Sequence, residues 1–140
     1  MNQPHNIVPG RSIGEFCLHE SREDVLSKIS GKYTKEHRVG CDVYHLQHVS
    51  IWIDREKNQV DQITAREGFP GSFQDAITIG SKFRELKALG NVYCENDHVP
   101  VYMIEGIDGI CFEMEDDDID EEFCEDEQRI GWISVFDDAD

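Results

Sequence analysis

Carboxylate side chains are concentrated in one stretch of the sequence, from Glu113 to Glu127. This stretch holds 11 Asp and Glu residues in 15 positions and has no Lys or Arg. Such a surface suits one of three roles: attraction of a strongly basic partner, coordination of a cation, or solvation of an exposed loop. Like charges this dense oppose compaction, so they are not expected to stabilise the fold. We therefore expect this stretch, called the acidic tract below, to interact with something other than the rest of the protein.

A basic protein is the partner that this charge pattern favours. The carboxylates would speed the approach of a Lys- and Arg-rich protein and orient it, while Ile119 and Phe123 would add apolar anchors. Nucleases have basic surfaces because they bind phosphate, so an acidic loop can compete with their substrate. The predicted partner-binding residues are Glu113, Glu115, Asp116, Asp117, Asp118, Ile119, Asp120, Glu121, Glu122, Phe123, Glu125, Asp126 and Glu127.

A calcium loop is the alternative use of the same residues. Asp116, Asp118 and Asp120 occupy positions 1, 3 and 5 of a twelve-residue window, and Glu127 occupies position 12. Position 6, which is Gly in an EF-hand, is Glu121, and the flanking segments have strand patterns. A cation-binding regulatory module therefore remains the second hypothesis, and no metal ligands are assigned.

Catalytic motifs are absent from the sequence. It contains no H-E-x-x-H, G-x-S-x-G, P-loop or G-x-G-x-x-G pattern. His45 and His48 are three residues apart in a strand pattern, so they are expected on opposite faces and not as a metal pair. We therefore predict that the protein is not an enzyme and has no cofactor.

The remaining composition narrows the partners and the location. Residues 1–94 contain 12 acidic and 12 basic side chains, whereas residues 95–140 contain 18 acidic ones and a single Arg. The net charge of −17 would repel phosphates, which argues against nucleic acid and anionic membranes as partners. The first ten residues do not match a secretory signal, and the five cysteines show no C-x-x-C spacing. A cytoplasmic protein with reduced thiols is expected.

A weak internal repeat organises the elements that would position the tract. Ser12-Ile13-Gly14 is echoed by Thr78-Ile79-Gly80, and each is followed by a short helix signal capped by Ser21 or Ser81. Strand patterns then follow each helix, with apolar residues alternating as in a half-buried strand. We interpret residues 10–66 and 76–136 as related halves of one domain, 1–140.

These patterns predict an α+β domain in which short helices pack on an antiparallel β-sheet, as two related α-β-β-β halves. In the first half, a short turn at 54–58 joins the last two strands. The corresponding connection in the second half runs over about 115–129 and contains the acidic tract. The tract is thus predicted to be an enlarged hairpin loop, where insertions cost little stability and functional groups often lie.

The repeated Ile-Gly turn, capped helix and strand meander resemble the tandem-repeat architecture of beta-lactamase inhibitory protein and related small lipoproteins of outer-membrane assembly. That resemblance implies two units that join to present one concave binding face. In its small size, acidity and lack of catalytic motifs, the chain is also similar to bacterial immunity proteins. This second resemblance implies a cytosolic protein that neutralises a toxin, often a basic nuclease.

Overall fold

A computed structural model of the protein describes residues 6–29, 31–95, 100–115 and 125–137. Within these residues, antiparallel strands dominate, and the helices are α1 (Arg22–Lys28), α2 (Phe83–Lys87) and one 3₁₀ turn (Glu125–Glu127). The strands are β1 (Ile7–Val8), β2 (Ser12–Ile13), β3 (Phe16–Cys17), β4 (Thr34–Arg38), β5 (Cys41–His45), β6 (Val49–Asp54), β7 (Gln59–Ala65), β8 (Val92–Cys94), β9 (Tyr102–Ile104), β10 (Ile107–Met114) and β11 (Ile130–Phe136).

Eight of these strands form one sheet in the order β4-β5-β6-β7-β11-β10-β9-β8. The order is symmetric about its centre, because each half supplies a helix followed by four strands, and the last strands of the halves, β7 and β11, pair with each other. Strands β1, β2 and β3 form a separate small sheet. The described helices do not include one that is long and apolar enough to cross a membrane.

The predicted α+β class is wrong, because the described chain is mostly antiparallel β-structure. The helices span only seven and five residues, and each half contributes four strands to the large sheet, where three were predicted. In the first half the strand that the sequence did not predict is β4, whose five residues are all exposed. An edge strand of this kind is held by backbone hydrogen bonds to one neighbour, so its side chains need not show the alternation that reveals a buried strand.

Local hydrogen bonds set where the two helices begin. The Ser21 hydroxyl accepts a bond of 3.1 Å from the Asp24 N–H, which confirms the predicted cap of α1. The predicted cap of α2 at Ser81 is wrong, because the Ser81 hydroxyl accepts a bond from the Thr78 N–H instead. Helix α2 begins one residue later, where the Lys82 N–H donates to the Glu85 carboxylate at 2.7 Å.

The hydrophobic core lies on one face of the large sheet. Side chains that alternate along its central strands are fully buried there, among them Ile51, Ile63 and Ile133. The helices and the small sheet cover this face with side chains such as Val25, Leu86 and Ile13. Each such side chain stabilises the fold by about 1.5–3 kcal/mol relative to exposure. The other face of the sheet therefore presents the intervening residues.

Candidate functional site

The acidic tract joins two paired strands of the sheet. Met114 near the end of β10 lies opposite Ile130 at the start of β11, and the Glu115 N–H donates to the Arg129 carbonyl at 2.8 Å. Glu113 and Glu115 lie on the β10 side, and the 3₁₀ turn lies on the β11 side. The predicted site residues Asp116, Asp117, Asp118, Ile119, Asp120, Glu121, Glu122 and Phe123 lie outside the described residues.

The last two carboxylates of the tract pair with helix α2. Lys87 Nζ donates to Asp126 Oδ1 at 2.8 Å, and Glu127 accepts from Lys82 at 2.9 Å and from Arg84 at 3.0 Å. The hydrogen bond from Lys82 is the main cause that lowers the pKa of Glu127. These contacts fix the C-terminal end of the tract on the protein, and a calcium loop would have to release Glu127 from them to use it as a ligand.

The face of the large sheet opposite the core carries a trough across its central strands. Its floor is a row of small side chains that are direct cross-strand partners in β6, β7, β11 and β10: Ser50, Thr64, Ser134 and Cys111. Ser50, Thr64 and Ser134 are at most 5% exposed. Because these side chains are smaller than their neighbours along the strands, we interpret the row as the floor of a shallow depression.

Larger side chains form the two walls of the trough, each two residues along the strands and so about 7 Å from the floor. One wall consists of Trp52, Gln62 and Phe136, which are cross-strand partners. The other consists of Trp132 and its partner Glu113, and Trp132 is 38% exposed. Glu113 is also the first carboxylate of the acidic tract. The tract therefore begins in a wall of the trough.

A groove continues from this second wall toward the ends of the strands. Arg66, His48 and Glu115 line it together with Trp132. The Arg66 guanidinium donates to the Leu46 carbonyl, and its buried Nε has no hydrogen-bond partner among the described residues. The Arg66 guanidinium is therefore bonded to the turn between β5 and β6.

The floor residue Ser50 belongs to a hydrogen-bonded chain of side chains with the composition of a catalytic triad. His45 Nδ1 lies 2.8 Å from Ser50 Oγ, and His45 Nε2 lies 2.8 Å from Glu36 Oε1. Hydrogen bonds from Arg38 and His45 lower the pKa of Glu36 to about 2. However, Ser50 is only 1% exposed, so its hydroxyl is inaccessible to a substrate. These three residues instead tie the edge strand β4 to the sheet.

The trough was missed by the sequence analysis, although a signal for its floor is present. Each floor residue lies between two apolar residues in its strand, as in Ile63-Thr64-Ala65 and Ile133-Ser134-Val135. A small polar residue between two buried ones marks the opposite face of a sheet. Which of these residues lie side by side depends on strand order and register, which the sequence pattern alone does not reveal.

Comparison with known proteins identifies a similar fold. No protein-family model matches the chain, and the search of curated proteins found no significant match. The crystal structure of the uncharacterized protein YfeY from Escherichia coli is similar, with a TM-score of 0.64 and 13% sequence identity. The alignment covers 92% of this chain and 98% of that chain. At this identity the similarity establishes the fold alone.

Proposed function

We propose that the protein is an inhibitor of the immunity-protein type, which binds a basic protein toxin in the cytoplasm, most simply a nuclease domain. The observation that carries this proposal is that the acidic tract begins in the wall of the trough, at Glu113. The first carboxylate of the tract therefore lies in the same surface that would hold the partner.

The charge of the tract supports a basic partner. Within the part of the chain that the structure describes, only Asp126 and Glu127 of the tract form ion pairs with Lys or Arg. Six more carboxylates of the tract lie between residues 116 and 122. A cluster of carboxylates of this size raises the association rate with a basic protein, and this effect decreases as salt is added.

The trough supports a stable complex after encounter. Trp is one of the residue types enriched among the side chains that contribute most of the binding energy in protein interfaces. Trp132 stands in the wall and is 38% exposed, so its ring is available to a bound segment. We therefore assign the association rate mainly to the tract and the lifetime of the complex mainly to Trp132.

Binding kinetics test this division of roles. A tagged copy of the chain is used to capture its partner from the native cell, and the purified partner is then studied alone. Changing Asp116, Asp117 and Asp118 to Asn should lower the association rate about tenfold at low salt and weaken its salt dependence. Trp132→Ala should instead raise the dissociation rate at least tenfold. The wild-type chain should block the partner's nuclease activity at equimolar ratio.

Matched controls separate local charge from total charge. Glu23, Glu56 and Asp75 are exposed and lie outside the tract, so changing them to Gln, Gln and Asn removes the same net charge. These changes should alter the association rate less than twofold. An acidic partner, or equal rates for the tract variant and the wild-type chain, would contradict the proposal.

A further inference from the structure

The first tryptophan of the sheet belongs to a complete cluster of carboxylate, guanidinium and indole. The Arg38 guanidinium carbon lies 5.7 Å from the centre of the Trp52 ring. Arg38 Nε also donates to Glu36 Oε2 at 2.8 Å. The arginine is therefore held by an aromatic face and a carboxylate at the same time, which is the arrangement that suits a planar guanidinium.

The second tryptophan has the carboxylate but lacks the cation. Glu113 lies directly opposite Trp132 in the β10–β11 pair, so their side chains are neighbours on the trough face. Among the described residues, no Lys or Arg pairs with Glu113 or lies over the Trp132 ring. Arg66, on the far side of Trp132, is bonded to the Leu46 carbonyl instead.

Glu113 is poorly placed to remain an unpaired anion. Its side chain is half-buried, and this burial raises its pKa. The Cys111 thiol, two residues before it in β10, is close enough for Glu113 to raise its pKa, and it supplies no positive charge. On β11 its direct partner is the uncharged Trp132. A cation from outside the chain would therefore gain an ion pair that the protein itself does not make.

We propose that Glu113 and Trp132 form a subsite for an arginine side chain of the partner. The proposal rests on the function proposed above and specifies which chemical group of the basic partner the trough receives. The guanidinium would lie on the Trp132 ring and donate two parallel hydrogen bonds to Glu113. Lysine would provide a point charge without the two-pronged geometry, so arginine should bind more tightly.

Titration with N-acetyl-arginine methylamide tests the subsite without the partner. The readout is the indole N–H signal of Trp132 in a heteronuclear NMR spectrum at low salt. We expect a saturable shift of this signal and little shift of the Trp52 indole, because Arg38 already occupies that ring. The citrulline analogue, which has the same shape without the charge, and the lysine analogue should each bind at least threefold more weakly.

Two variants assign the binding to the named residues. Glu113→Gln should weaken the binding of the arginine analogue at least fivefold. Glu105→Gln, at an exposed turn between β9 and β10, should leave the affinity for the analogue unchanged. Trp132→Leu removes the indole signal, so its binding is followed by the backbone N–H signal of Glu113, and the saturable shift should be abolished. The spectra of both variants report whether the fold is kept. No saturable shift, equal affinity for the citrulline or lysine analogue, or unchanged affinity in Glu113→Gln would overturn the subsite.

The two proposals can fail separately. If the analogue binds as expected but no basic protein associates with the chain, the subsite stands and the inhibitor function is wrong. If a basic toxin is captured with tract-dependent kinetics while the analogue and Glu113→Gln show no effect, the inhibitor function stands and the arginine subsite is wrong.

Discussion

Thr64 Oγ1 and Ser134 Oγ lie 2.7 Å apart in a buried hydrogen bond between β7 and β11. These two strands are the last strands of the two halves, and their pairing joins the halves into one sheet. The contact therefore lies both on the floor of the trough and at the centre of the fold. Gln62 Nε2 adds a hydrogen bond of 3.2 Å to the same Thr64 oxygen.

Removing this hydrogen bond should destabilise the protein modestly. Thr64→Val and Ser134→Ala should each lower the free energy of unfolding by about 1 kcal/mol, because each leaves the other hydroxyl buried with fewer partners. The double variant should lose less free energy of unfolding than the two single variants together, since the shared hydrogen bond is lost only once. Urea denaturation of the four proteins measures this coupling.

A control substitution checks that the effect comes from the buried bond. Thr34→Val makes the same chemical change at an exposed position of the edge strand β4. Its free energy of unfolding should stay within about 0.5 kcal/mol of the wild-type value. Strictly additive losses in the double variant would show that the two hydroxyls do not stabilise each other.

The central strands could be anticipated from the sequence because one of their faces is buried. Val49, Ile51 and Ile53 alternate with residues of the opposite face, a pattern that predicts a half-buried strand, and β6 forms there. The cap at Ser21 is likewise a local pattern with a local cause. By contrast, β4 and β8 are edge strands that bury few side chains, so periodicity does not reveal them.

The candidate site was predictable only in part, for a related reason. The charge of the acidic tract is a property of composition, and it is visible without a structure. The trough depends on contacts between residues far apart in the chain, such as Thr64 with Ser134 and Gln62 with Phe136. Those contacts follow from the joining of the two halves along β7 and β11.

Two glycines with similar backbone angles should respond very differently to alanine. Gly106 and Gly109 have φ angles of 89° and 80°, so either substitution places an L-residue in the left-handed region. A Cβ on Gly106 meets open space, whereas one on Gly109 would lie 2.6 Å from the Gly10 nitrogen. Gly10 belongs to the turn between β1 and β2, and its N–H donates to the Gly109 carbonyl at 2.9 Å.

We therefore expect Gly106→Ala to lower the free energy of unfolding by about 1 kcal/mol, the cost of the left-handed backbone. Gly109→Ala should cost about 2–4 kcal/mol, because overpacking against the Gly10 backbone is added to it. Thermal and urea denaturation of both variants measure the difference. Equal losses of free energy of unfolding in the two variants would show that the small sheet can shift without cost and does not stabilise the large sheet.

The Cys111 thiol on the trough floor should be slow to alkylate, and its neighbours should change that rate in opposite directions. Burial, followed by the nearby Glu113 carboxylate, raises its pKa to about 11, while hydrogen bonds from Ser134 oppose the rise. At pH 8 about one thiol in a thousand would then be ionised, and only the thiolate reacts. Glu113→Gln removes a negative charge and should speed alkylation, whereas Ser134→Ala removes a donor to the thiolate and should slow it.

Site-resolved mass spectrometry after iodoacetamide treatment measures both alkylation rates, with exposed Cys17 as the internal reference. A change of the same sign in both variants would indicate altered access to the floor, and the electrostatic explanation would then be wrong.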